Sequence, residues 1–88
     1  MTSKGTRFYL LVAIQPGKEK DFANEIVSKG VTQGSYVEKI DFVHGAFDFI
    51  IILRGISEDI DRRIMEIRLL PYVQKTETLI PFETSLWK

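Results

Sequence analysis

Arg7-Phe8-Tyr9-Leu10-Leu11-Val12-Ala13-Ile14 is the stretch that decides the fold. It is β-branched and aromatic, and it is apolar on both alternating sets: Phe8, Leu10, Val12 and Ile14 on one, Tyr9, Leu11 and Ala13 on the other. A strand with that pattern is buried on both faces and belongs in the middle of a sheet. Gln15-Pro16-Gly17 ends it, with Pro fixing φ and Gly free to take a positive one. Working outward, Lys18 to Lys29 sets Phe22, Ala23, Ile26 and Val27 on one side of an amphipathic helix. Gly30 sits where a left-handed C-terminal residue belongs.

Ser35 to Val43 mixes charged and apolar residues on both alternating sets, as an edge strand does to discourage stray pairing. His44-Gly45 reads as a hairpin turn leading into Ala46 to Arg54, which is apolar on both faces apart from Asp48. Ser57 is placed as the N-cap of a second helix, with Glu58 and Asp59 at its positive end. Ile60, Ile64 and Ile67 give its buried stripe, joined by Met65. Arg68 suits the negative end, and Pro71 closes the helix. Val73 to Ile80 is the last strand, restricted by Pro81 to an edge or an end.

The order is β-α-β-β-α-β, the ferredoxin-like α+β pattern: a four-stranded antiparallel sheet with two helices on one face. Right-handed crossovers put strands one and three in the centre, flanked by two and four. The helices cover one face only. The other keeps roughly six large apolar side chains, worth about 10 kcal/mol if left wet, so a second copy of the sheet is the expected cover, giving a dimeric α/β barrel. Residues 7–82 form the domain, between a tail over 1–6 and another over 83–88.

Composition narrows the function. Eighty-eight residues make one small domain, which by size scaling buries roughly 64% of its unfolded surface. Hydrophobic residues are 44% and charged residues 27% of the chain, which excludes disorder. Twelve Lys+Arg balance twelve Asp+Glu, with pI ≈ 6.6, so no basic excess is available to neutralise a phosphate backbone, and no direct nucleic-acid binding is expected. The chain has no Cys, which removes disulfides and thiolate metal sites. No segment reads as a signal peptide or membrane span, and the expected location is cytoplasmic.

Catalytic chemistry finds little support. His44 is the only histidine, no Ser-His-Asp or Gly-x-Ser-x-Gly arrangement occurs, and Pro16-Gly17-Lys18 lacks the glycines of a phosphate cradle. No catalytic residue, metal ligand or cofactor is assigned. Arg62, Arg63 and Arg68 face Asp59, Asp61 and Glu66 and read as a solvated ion-pair surface. Trp87 reads as a packed or frayed tail residue. Asp48 is the exception, an ionisable group at the mouth of an apolar strand. It either accepts backbone hydrogen bonds there or serves as a carboxylate for a cationic ligand.

The sequence as a whole resembles the RAM domain, the effector-binding module of Lrp/AsnC transcriptional regulators. The resemblance spans residues 7 to 82. It rests on the strand–Pro-Gly-Lys–helix opening, on Gly45-x-Phe47-Asp48, where the family has Gly-x-Tyr/Phe-Asp, and on Thr76-Glu77-Thr78 in the last strand. The chain departs from the family in having Leu70-Pro71-Tyr72-Val73 where Pro-Gly-Val is frequent, and, with no helix-turn-helix read ahead of residue 7, a stand-alone version is expected. What the resemblance implies is a dimer through the open sheet faces, and often rings of dimers. It implies an amino-acid effector bound between dimers by His44, Gly45, Ala46, Phe47, Asp48, Thr76 and Thr78, with Asp48 taking the ammonium. It also implies action in transcription through a partner such as a full-length Lrp/AsnC regulator. Two other classes stay open: a small dimeric α/β-barrel enzyme of monooxygenase or isomerase type, and a purely structural oligomerisation domain.

Overall fold

The computed structural model describes residues 6–29 and 36–81. Strand β1 (Thr6–Ile14) leads through a turn to helix α1 (Glu19–Ser28), then strands β2 (Val37–Phe42) and β3 (Phe49–Gly55), helix α2 (Ser57–Arg68) and strand β4 (Val73–Leu79). The sheet is antiparallel, ordered β2-β3-β1-β4, so the two strands that read as apolar on both faces are the central pair. The ferredoxin-like α+β fold expected from the pattern is the fold observed. Thr6, expected in the tail over 1–6, opens β1, and the expectations for the rest of the tails (1–5 and 83–88, with Trp87), for residue 82 and for Gly30 lie outside the described residues.

The core forms on the helix side of the sheet. Phe8, Leu10, Val12 and Ile14 of β1 meet Phe49, Ile51 and Leu53 of β3 beneath Phe22 and Ile26 of α1 and Ile60, Ile64 and Ile67 of α2. Two helix assignments need correcting. Val27 is 65% exposed and Met65 50% exposed, so neither belongs to its helix's buried stripe. Each lies one position past a buried isoleucine, about 100° around the helix, which turns it off the sheet. Ser57 is also corrected: it is the first helical residue, Ile56 occupies the cap, and no side-chain capping bond is made. Glu58 and Asp59 do stand in the first turn and Arg68 in the last.

The β2–β3 connection is longer than the two-residue turn expected. Ala46, Phe47 and Asp48 lie outside β3, and the Val43 N–H donates to the Asp48 carbonyl at 2.9 Å, closing a four-residue loop over His44–Phe47. The β1–α1 turn is as expected. The Lys18 N–H donates to the Gln15 carbonyl at 3.0 Å around Pro16 and Gly17, whose φ of +84° is the positive value a type II turn requires.

On the open face, β1 presents Arg7, Tyr9, Leu11 and Ala13, and β3 presents Ile50, Ile52 and Arg54. Leu79 of β4 lies opposite Tyr9 and Glu77 opposite Leu11. One end of this apolar stripe is closed by charge. Arg54 Nε donates to Glu38 Oε2 at 2.5 Å, and Arg7 Nε stands 3.4 Å from Glu38 Oε1. The Arg54 hydrogen bond, helped by the charges of both arginines, holds the Glu38 carboxyl below its ordinary value against an opposing desolvation.

Core and rim respond differently to substitution. Ile51→Ala, at a site with no solvent exposure, should cost about 2–5 kcal/mol by denaturant unfolding, whereas Val27→Ala should stay within about 0.5 kcal/mol. A large loss at Val27 would place it in the core after all. For Glu38, a lowered folded pKa means stability present above the unfolded carboxylate value and lost as pH falls through the folded one. The advantage of wild type over Glu38→Gln, within about 1 kcal/mol for so solvated a cluster, should therefore vanish on acidification. A difference that persists unchanged to about pH 3 would show that the charge contributes nothing.

Candidate functional site

One end of the sheet gathers three connections: the β1–α1 turn, the β2–β3 loop and the α2–β4 turn. Asp48 sits among them and is bonded three ways. Its N–H donates to the Val12 carbonyl at 2.8 Å, its own carbonyl accepts from Val43, and its Oδ2 accepts the Ile14 N–H at 2.7 Å. The carboxylate thus stands in for a strand carbonyl and carries the β1–β3 ladder one step beyond its backbone end. Of the two roles open to Asp48, backbone capping is present, and it occupies one of the two carboxylate oxygens.

Around Asp48 lies a cavity of 180 Å³ lined by Glu19, Phe42, Val43, His44 and Asp48. It opens beside a larger apolar groove of 580 Å³ between α1 and β2, lined by Glu19, Lys20, Ala23, Ile40, Phe42 and Phe49. Glu19 and Phe42 border both. Phe42 stacks on Phe49 with ring centroids 4.9 Å apart and 15° between planes, and Phe49 in turn meets Phe22 at 5.1 Å. Arrayed here are two carboxylates and an imidazole facing a shared hollow, next to an aromatic and aliphatic wall. Among the described residues no group of three His, Asp or Glu could hold a metal ion.

The residues anticipated from sequence divide. His44 and Asp48 line the cavity, and Gly45 and Ala46 form the exposed part of the loop beside it. Gly45 has φ +132°, and a Cβ there would meet no atom within 4 Å, so a larger residue would act through backbone strain and not by crowding. Phe47 instead carries the Lys75 ammonium over its ring at 5.4 Å. Thr76 lines a separate depression of 210 Å³ with Arg68, Val73, Gln74 and Lys75, and Thr78 is exposed further along β4. Within one chain, then, the threonines and Asp48 do not share a cavity. Sequence reasoning misses Glu19, which belongs to no motif and stands only on the polar side of the first amphipathic helix.

The α2–β4 turn explains the departure at Tyr72. Its φ is +77°, a conformation that glycine takes freely and a side chain takes at a cost of order 1–3 kcal/mol. Two contacts hold it there. The Tyr72 carbonyl accepts the Gln15 N–H at 2.8 Å, and the Lys18 ammonium lies 5.6 Å from the Tyr72 ring centroid. The two turns brace one another just before α1 presents Glu19 to the cavity.

No protein-family model and no curated protein matches the chain. Solved structures do. FFRP-DM1 is 26% identical with a TM-score of 0.69, the alignment covering 88% of this chain and 99% of that one. AsnC of E. coli is 17% identical with a TM-score of 0.67 over 90% of this chain, and LrpC of B. subtilis 15% with 0.63 over 89%. This chain corresponds to about half of each of those two, 52% of AsnC and 51% of LrpC. The fold read from the strand order is therefore the fold of these structures, and the chain is similar in fold to FFRP-DM1 and to the matching half of AsnC and of LrpC.

Proposed function

We propose that the chain is an effector-sensing, oligomerising regulatory domain that binds an amino acid at the cavity between the β2–β3 loop and the start of α1. The observation that carries this reading is the pairing of an acidic hollow, Glu19 and Asp48 with His44, with the apolar groove beside it. An ammonium suits the two carboxylates, an apolar side chain suits Ala23, Ile40 and Phe42, and the loop N–H groups at Gly45 and Ala46 are donors for a carboxylate. Thr76 and Thr78 lie on the β4 edge, apart from this cavity, and are left out of the proposed site. The RAM-type likeness supports a regulatory role exercised through a partner regulator. An enzymatic reading would have to be built on His44, which is exposed in its loop.

The same reading makes the open face a dimer interface. Tyr9, Leu11, Ile50, Ile52 and Leu79 form one stripe across three strands, and burying it against a second copy removes it from water. The chain should run as a dimer or larger species by light scattering at micromolar concentration. Ile52→Asp should shift it toward monomer, and a cooperative melt of a species at the single-chain mass would sink the dimer.

Effector binding is tested by thermal shift across the standard amino acids at millimolar concentration. A ligand at a hundredfold excess over Kd stabilises by about 2.7 kcal/mol, several degrees for a domain of this size. Asp48→Asn keeps an acceptor for the Ile14 N–H and loses the charge, so it should melt near wild type yet lose most of the shift. Glu19→Gln should weaken the shift too. Asp48→Ala should cost about 1–3 kcal/mol on its own by orphaning that N–H. No shift with any amino acid, or an undiminished shift in Asp48→Asn, would reject the assignment.

A further inference from the structure

The outer edge of β4 is self-complementary, and we infer that it pairs antiparallel with β4 of a second copy, centred on Thr76. Strand β4 is an edge of the sheet, with no strand on its far side among the described residues. Gln74, Lys75, Glu77, Thr78 and Leu79 are all exposed along it. The opposite edge, β2, has a register break between Val37 and Lys39, a feature that discourages pairing. The break in β4 lies at its start, beside Val73, and leaves Lys75 to Leu79 in unbroken register with β1.

The side chains select both partner and register. Thr76 lies opposite the buried Val12 and so stands on the helix side, while Lys75 and Glu77 lie opposite Ala13 and Leu11 on the open side. Antiparallel pairing about Thr76 places each Lys75 directly across from Glu77 of the second copy, twice over, on the same face. Thr76 meets Thr76, and Gln74 meets Thr78. Cross-strand pairs of opposite charge and of threonines stabilise a ladder, and like charges directly opposite destabilise it. The registers centred one residue to either side, on Lys75 or on Glu77, set Lys75 against Lys75 or Glu77 against Glu77. Charge thus disfavours the neighbouring alternatives. Glu77 forms no ion pair among the described residues, and the Lys75 ammonium rests over the Phe47 ring.

The occupant is therefore a second copy of this chain, and the contact is distinct from the open-face dimer. It rests on the oligomerising part of the function proposed above and supplies a second two-fold interface, joining sheets edge to edge where Thr76 and Thr78 lie.

Cysteine cross-linking reads this contact without interference, because the chain contains no Cys. Directly opposed residues in an antiparallel pair have Cα atoms about 4.5–5.5 Å apart, within disulfide range. Thr76→Cys should oxidise to a covalent dimer, whereas Thr78→Cys, facing Gln74 and not itself, should not. Open-face pairing cannot mimic this, since Thr76 points to the other side of the sheet. Lys75→Glu and Glu77→Lys should each cut the yield of the Thr76→Cys dimer about tenfold, and the two exchanged together should restore it. Ile52→Asp should leave the cross-link intact while removing the open-face dimer, so each reading fails separately. Absence of cross-linking at Thr76, equal cross-linking at Thr78, or no rescue by the exchange would overturn the proposal.

Discussion

A four-stranded sheet with both helices on one side has a face that its own chain does not cover among the described residues, and most of the molecule follows from that. The central strands β1 and β3 are apolar on both sets of side chains. The helix-side set fills the core, with Leu10, Val12, Ile51 and Leu53 removed entirely from solvent. The other set lies half-buried by its neighbours alone, bounded by the Arg7–Glu38–Arg54 cluster at one end and by Lys39–Asp41 along β2. Charge sits at the margins of the stripe and not within it, the arrangement of an interface core inside a polar rim.

The central strands are legible in the sequence because seven or eight residues, apolar on both alternating sets, fit the middle of a sheet and little else. The helices are legible in their buried isoleucines and less so at their margins. Val27 and Met65 adjoin buried positions, and only the packed orientation of the helix tells which flank turns away. The β2–β3 loop is harder for a related reason: Ala46 and Phe47 are apolar and look like strand, yet the Asp48 side chain takes over the ladder and lets those residues leave it. Glu19 carries no signal of its own. Its place at the cavity depends on α1 starting directly after the Gln15–Lys18 turn, close to the β2–β3 loop.

Asp48 shows why a binding role and a structural role need not compete. One carboxylate oxygen completes the ladder at Ile14 while the group still borders the cavity with Glu19 and His44. Anything that moves β1 against β3 at this end moves a cavity wall. The same end receives β4, where Lys75 reaches Phe47 across the sheet and the exposed edge begins at Gln74. Loop, cavity and edge are mechanically contiguous.

Tyr72 adds a consequence for local motion. A side chain held at φ +77° stores backbone strain that is released as soon as the turn opens. The free energy of a local opening there is lowered by that amount relative to an unstrained turn of equal contacts. The Gln15 amide, whose acceptor is the Tyr72 carbonyl, is thereby set to exchange its proton with solvent through brief excursions of this corner, well before the buried amides of β1 that require the whole sheet to come apart.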